Sequence, residues 1–548
     1  MKTRILFSIL IVAVVVSSCK KLLEEDVRTQ ITDNYINTAP GFQDGVKASY
    51  SFLKTFYGGD EFGSAITVFG TDEYTNGSDG GNKSLNQYTS DLNPRQATFV
   101  NIWNNLYLAI NACNAVITRA PEVTGVADDL KAVRVAEVKF LRAQYYFLLV
   151  QLYGPVHLSL TETQSVVTTA TRTPVKDVYD AIVADLNAAV LALPVKATDY
   201  GRAIKPAAEN LLAKVYLTRA SSEAKQAGDY AKAAELAKNV INNYGLRLTD
   251  DFSKVFEQGA GEKNSEVIWS VQNNKDLLTI GPGNTLHLYY LMEYDVLPGM
   301  KRDVVNGRPF KRFKPTNYTL ESLFNRQLDG RYEKSFRRVF FCNNPGTFTI
   351  NGKQVTLKVG DTAIYVPDRE FTAAELARVN YSIYPPSKQD ERRYPSLTKF
   401  LDPQRPSLGD AAGSRDVLVY RLAETYLIAA EALMMIGNSA EAATLVNVVR
   451  SRAAKAGTSD TESAANRLAM QITPAQLNID FILDERSREL LGENMRWLDL
   501  VRTGKLLERV KKYNPVAAAG IQPFHVLRPI PQEQIDRTSS EFKQNPGY

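Results

Sequence analysis

The chain is poor in the residues that most often carry chemistry. Among 548 residues there are three cysteines and three histidines. His157, His287 and His525 lie far apart, and no His-Glu-x-x-His, Cys-x-x-Cys, Gly-x-Ser-x-Gly or phosphate-binding loop occurs. Nothing here anchors a catalytic reading, and the chain is expected not to be an enzyme. Carboxylates could still meet in space as a glycosidase pair, which spacing alone does not exclude. Charge of one sign is also lacking. The formal net charge is +5, and +3 without Lys2 and Arg4, so there is no global basic field of the kind that marks nucleic-acid binding. Long apolar runs are absent beyond Val16. With so few cysteines, Cys113 and Cys342 are expected to be buried free thiols, because a chain this long needs no staple.

What is present begins at the first residues. Lys2 and Arg4, the 12-residue run Ile5 to Val16, and Ser17-Ser18-Cys19 form a basic start, a short apolar core and small residues before a cysteine. Spanning a bilayer takes about 18 apolar residues, so this is read as a lipoprotein signal, 1–18, removed ahead of Cys19. Cys19 would then carry the lipid and anchor the chain to a membrane, with Lys20 to Asp26 as a polar tether.

Further on, Ala136, Phe140, Ala143, Phe147 and Val150 form a helical apolar stripe ended by Gly154-Pro155. The chain also carries an ungapped internal repeat. Gly228/Gly437, Ala231/Ala440, Ala233/Ala442, Ala234/Ala443, Leu236/Leu445 and Val240/Val449 match in one register, each copy behind a helix bearing Tyr216 or Tyr426. A tyrosine-bearing helix, a glycine turn and a helix of small residues is the tetratricopeptide pattern. Segments 101–118 and 132–152 read as a more degenerate pair. The fold class is therefore mostly α: tetratricopeptide-like helix pairs in an α-α superhelix, interrupted by a large irregular insertion. That insertion, about 270–410, contains a hairpin around Asn351-Gly352 and a capping box of Thr372 and Glu375. A second cap is expected at Thr473 with Gln476, and Phe481 to Leu507 reads as the last long helical stretch.

Several segments match the pattern of a known family. They are Phe140-Leu141-Arg142-Ala143 through Tyr153-Gly154, Ala213 to Leu217, Arg421 to Leu427, Glu485-Arg486 with Glu489-Leu490, Arg496 to Arg502, Pro529-Ile530-Pro531 and Gln544 to Tyr548. In their order and spread, the chain resembles the SusD/RagB family of nutrient-uptake outer-membrane lipoproteins. His157 departs from the proline usual in the family's Gly-x-x-Pro-Leu turn. The resemblance implies one SusD-like domain over 19–548. Its parts are an N-terminal helical part to 270, a variable ligand-binding insertion over 271–410 and a C-terminal helical part over 411–548. It further implies four tetratricopeptide-like pairs, a place on the cell surface, and a non-catalytic role. The protein would bind a glycan and deliver it to a SusC-like TonB-dependent outer-membrane transporter. The alternative is a transporter lid for peptides or another nutrient. No cofactor is implied beyond the lipid on Cys19.

Sugar recognition needs aromatic faces beside hydroxyl, amide and carboxylate partners. Tyr289, Tyr290, Tyr294, Tyr318, Tyr332, Tyr384 and Tyr394 are strung through the insertion beside Asn284, Asn306, Asn317 and Asp295, and the first five are the candidate stacking residues. A second candidate is the loop from Asp72 to Gly81, with Asp72, Glu73, Tyr74 and Asn76 as ligand contacts and Trp103 just beyond it. That loop could also grip calcium, although the spacing of a calcium hand is absent. Residues 301–338 hold eleven Lys/Arg against four acids, a net +7 that would favour acidic glycans. By contrast Glu485, Arg486, Arg488, Glu489, Arg496, Asp499 and Arg502 read as a structural ion-pair network rather than an acid–base site.

Overall fold

The computed structural model describes residues 35–276 and 281–548. The leader, Cys19 and the tether lie outside the described residues.

Among the described residues, nine helices form the scaffold: α1 (Ala39–Ser51), α2 (Ala97–Arg119), α3 (Asp128–Tyr153), α4 (Val175–Ala192), α5 (Lys205–Ala220), α6 (Asp229–Asn243), α7 (Leu422–Met435), α8 (Ser439–Ala453) and α9 (Ile479–Leu490). The stripe Ala136, Phe140, Ala143, Phe147 and Val150 is buried on α3, which ends where Gly154 turns to φ +71°. The two repeat copies are α5–α6 and α7–α8. Their turns pass through Gly228 at φ +84° and Gly437 at φ +86°, a left-handed conformation that glycine adopts at little cost. The matched pairs Ala233/Ala442, Ala234/Ala443 and Val240/Val449 are buried in both copies, and α6 packs directly against α7.

The layering corrects one expectation. Helices α1, α3, α5, α7 and α9 form one layer, each touching the next, while α2, α4, α6 and α8 each pack against the helix of that layer that precedes them. The four pairs are thus α1–α2, α3–α4, α5–α6 and α7–α8. Segments 101–118 and 132–152 fall on α2 and α3, which do pack directly against one another, but the register of the two repeat copies, carried back along the chain, assigns them to neighbouring pairs. Adjacent helices in such an array share apolar faces on both sides, so pattern alone does not mark which neighbours form a pair.

The last helical stretch is also broken. After α9 come α10 (Arg496–Arg502) and α11 (Leu506–Tyr513), separated where Gly492, Asn494 and Gly504 take positive φ.

Short strands tie the insertion to this scaffold: β1 (Tyr74–Asn76), β2 (Val267–Val271), β3 (Phe313–Pro315), β4 (Val339–Phe341), β5 (Gly346–Ile350), β6 (Lys353–Leu357), β7 (Thr362–Tyr365) and β8 (Val417–Arg421). Antiparallel pairs join β1 to β3, β2 to β8, β4 to β7 and β5 to β6. The expected hairpin is β5–β6, its two-residue turn at Asn351 (φ +50°) and Gly352 (φ +79°) matching the type I′ form. Both capping boxes form, at Thr372/Glu375 and Thr473/Gln476. The insertion keeps a small core of its own around Met292, Tyr294, Phe340, Ile350, Leu357, Ile364 and Tyr394. Cys342 belongs to that core and Cys113 to the main one; both are buried and unbridged.

Candidate functional site

The β1–β3 ribbon is where the insertion meets the first helices, and its alternation sets which side chains reach the surface. Tyr74 and Asn76 point inward and are buried, whereas Thr75, paired with Lys314, faces outward. Beyond Asn76 the chain continues along the other strand: Gly77 N–H donates to Arg312 O at 2.7 Å and Asp79 N–H to Lys311 O at 3.3 Å. Ser78 N–H donates to Glu391 O at 2.9 Å, so loop 77–81 is held from two sides. A Cβ on Gly77 would stand 2.0 Å from Lys311 O, a contact no other residue can make. Lys311 itself takes φ +48°, strained for a side chain of its length. Its ammonium bridges Asp79 at 3.2 Å and Glu293 at 3.4 Å, which helps hold that conformation.

Phe310 is the half-buried ring of this rim. Tyr289 lies 6.2 Å from it, and the guanidiniums of Arg308 and Arg312 flank it at 5.1 and 5.4 Å. Arg312 pairs with the buried Glu61 at 2.5 Å, and Asn82 donates to the other Glu61 oxygen at 3.0 Å. Burial pushes the Glu61 carboxyl above its usual range, with Arg312 pulling the other way. Three buried polar atoms here have no protein partner: Asn76 Oδ1, Ser78 Oγ and Arg312 Nε. An aromatic face with two acceptors and a donor of fixed geometry suits a ligand that is apolar on one side and rich in hydroxyls at its edge. Among the described residues no group of three or more His, Cys, Asp and Glu is placed to hold a metal ion.

The structure buries every side chain that the sequence offered as a ligand contact. Asp72, Glu73, Tyr74, Asn76, Trp103, Tyr289, Tyr290, Tyr294, Tyr318 and Tyr332 are all buried, none more than 5% exposed. A ring so covered offers no face to a sugar, and most of these polar groups are spent internally. Asp72 is gripped by Arg496 and Arg509. Glu73 accepts from Ser487 Oγ at 2.7 Å. Tyr74 and Tyr290 meet edge to face at 5.3 Å, with Tyr290 donating to Gly492 O at 3.1 Å. Tyr289 shares a hydrogen bond with Thr285 at 2.7 Å. Tyr294 stacks on Phe340, Tyr318 packs on Tyr513, and Tyr332 lies under Arg326. Trp103 packs against Tyr107 and Tyr153 and donates to Gln534 at 3.1 Å. Two of them keep an unpartnered polar atom, Tyr74 Oη and Asn76 Oδ1. Of the rim residues, Ser78 lies within the candidate loop and Arg312 within the basic stretch, whereas Phe310 is not singled out. The one signal for Phe310 is its place among basic residues in Arg308-Pro309-Phe310-Lys311-Arg312.

The basic stretch needs a correction too. Of its eleven cations, Arg302, Lys311, Arg312, Arg326, Arg331, Lys334 and Arg338 each have a carboxylate within 4 Å. The partners lie mostly outside 301–338: Glu61, Asp79, Asp251, Glu293, Asp295, Asp368, Glu485 and Glu489. The net +7 is therefore largely neutralised in space. The expected ion-pair network does form. Arg331 binds Asp329, Glu485 and Glu489, while Arg486 and Arg502 share Asp499. Glu485 and Asp499 would be raised by burial, but these arginines hold both well below the usual carboxylate range.

Comparison with known proteins decides the family. The model described as "SusD family" matches residues 265–548, over half of the chain. The chain belongs to the SusD family. A second model, described as "Starch-binding associating with outer membrane", matches residues 43–217. Among curated relatives of this SusD-family chain, SusD-like protein P2 of Formosa agariphila is 26% identical over the full length of both chains. Among solved structures, a laminarin binding SusD-like protein is 24% identical over 93% of this chain and 100% of its own, with a TM-score of 0.69. Surface glycan-binding protein A from Bacteroides thetaiotaomicron, solved with laminarihexaose, is 19% identical over 93% and 99%, with a TM-score of 0.67. These likenesses establish the shared fold.

Proposed function

We propose that this protein captures a glycan at the rim formed by loop 76–81 and residues 310–312, and performs no chemistry on it. The observation that carries the reading is the half-buried Phe310 beside the unpartnered Asn76 Oδ1, Ser78 Oγ and Arg312 Nε. Membership of the SusD family and the starch-binding description of the second model support it, as do the laminarin-related names of two structural neighbours. In this reading Cys19 carries the lipid, the protein sits at the cell surface of the outer membrane, and the captured glycan passes to a SusC-like TonB-dependent transporter.

Affinity electrophoresis of the purified protein through gels containing starch, laminarin and other polysaccharides tests the capture step. Retardation by at least one glycan, lost in Phe310→Ala, is the expected result. Migration unchanged in every gel would favour a transporter lid handling peptides or another nutrient.

A further inference from the structure

The outward face of the β1–β3 ribbon does not end at the rim. Thr75 and Lys314, directly opposite one another, form one wall of a groove of about 390 Å³ whose other wall is the end of α11 and the segment after it. Tyr513 supplies an aromatic face there. Tyr318 backs it, its ring 4.2 Å away and tilted by 31°, with its hydroxyl fixed between Asp484 and Arg509. Asn317, Glu321 and Lys512 complete the edge. The sequence does not reveal this groove, because Tyr318 reads there as a stacking ring in its own right and nothing marks Tyr513.

Lys314 is the unusual residue of this groove. It is half-buried, yet among the described residues its ammonium has no carboxylate within 4 Å and no hydrogen bond, its backbone alone being paired, with Thr75. Its basic neighbours Lys311 and Arg312 are both paired. Asp390 and Glu391 act on it from farther off, and burial draws its ammonium below the usual lysine range against their pull. The other charges at the groove are exposed: Glu321, and Lys512, which lies over the Tyr513 ring. A partly desolvated ammonium with no carboxylate in contact gains most from an anionic oxygen, through a charge-assisted hydrogen bond in reduced dielectric.

We infer that this groove is a second subsite, in which Lys314 takes a carboxylate or sulfate group of the ligand held at the rim. The inference rests on the glycan reading above. Lys314 stands two residues from Arg312, about 7 Å along the ribbon, so a single oligosaccharide spans both places. It also narrows the general basic field read from the sequence to Lys314, which with Lys301, Arg308 and Arg337 has no carboxylate within 4 Å among the described residues.

The test is calorimetric titration of the full protein with three oligosaccharide probes: polygalacturonate, a sulfated carrageenan and neutral laminarin. Wild type is compared with Lys314→Gln, Lys314→Met and Lys314→Arg. The neutral variants should bind one acidic probe about tenfold more weakly than wild type, with laminarin unchanged, and the arginine variant should retain most of the affinity. Which acidic probe responds tells uronate from sulfate. The subsite is overturned if both neutral variants bind the acidic probes as wild type does, or if only laminarin binds, and in either case glycan capture still stands. Binding of none of the probes by folded wild type, together with unretarded migration through every polysaccharide gel, removes both readings.

Discussion

Arg496 donates from Nε and Nη2 to the two carboxylate oxygens of Asp72, at 2.7 and 2.6 Å, across 424 residues of sequence. Arg509 adds a third contact at 2.6 Å. This fully buried cluster bolts the ribbon that carries the rim to the C-terminal helices. Burial would raise the Asp72 carboxyl, but the two arginines outweigh it and hold it below its usual range.

Removing the carboxylate takes the shared counter-ion from two buried guanidiniums, leaving Arg496 only Glu73 at 3.5 Å and Arg509 the partly exposed Asp480 and Asp484. Asp72→Ala is therefore expected to lower stability by about 3–5 kcal/mol in denaturant unfolding. Adding Arg496→Met should recover part of that loss, because the second change removes an uncompensated charge. A double mutant that is simply additive would show that the pair is not coupled.

The neighbouring Glu73 behaves in the opposite sense. Its carboxyl is raised from 4.5 to about 7, by burial first and by Asp72, with Arg496 and Ser487 acting against. A carboxyl raised on folding contributes stability fully below pH 4.5, and this is lost as pH rises to about 7. Glu73→Gln keeps an acceptor for Ser487 and removes the titration. The variant should gain on wild type between pH 4.5 and 7, reaching on the order of 3 kcal/mol above pH 7. Thermal melts of both proteins from about pH 4 to pH 8 measure this, and parallel curves would contradict it.

The scaffold was legible because its signals are local. The stripe on α3, the repeat glycines, the Asn351-Gly352 turn and both capping boxes depend on residues a few positions apart, and each occurs where expected. The site was legible only as a region. Tyr290 is covered because Tyr74, Phe313 and Phe400 meet its ring, and Tyr74 and Phe400 arrive from distant segments. Tyrosine adds to the ambiguity, since its hydroxyl allows it in loops while its ring fills cores. The charge count over 301–338 failed for the same reason, because Glu61 and Glu485 lie far outside any window that could be summed.

The repeat offers a backbone test. A Cβ at Gly228 or Gly437 would have nothing within 4 Å, and both residues sit at nearly the same positive φ. Gly228→Ala and Gly437→Ala should then each cost about 1–2 kcal/mol, from backbone conformation alone. Similar losses in chemical denaturation are expected, and a much larger loss at one site would break the equivalence of the two turns.

Binding and stability should separate at the rim. Phe310 is half-buried, so Phe310→Ala should leave a cooperative fold while weakening glycan affinity by about 1–3 kcal/mol, taking base stacking on aromatic side chains as the analogue. Tyr290 is 2% exposed and packs against Tyr74, Phe313 and Phe400. Tyr290→Ala should cost about 3–5 kcal/mol of stability, as aromatic truncations in cores do. Combining Tyr289, Tyr290 and Tyr294 as alanines removes rings from both cores and should prevent stable folding. Tyr290→Phe keeps the ring and loses only the hydrogen bond to Gly492, so its affinity should match wild type. Melting temperatures beside dissociation constants for these variants separate a ligand-facing ring from a structural one. A folded Tyr290→Ala that has lost binding, next to an unaffected Phe310→Ala, would move the stacking face back to the tyrosine.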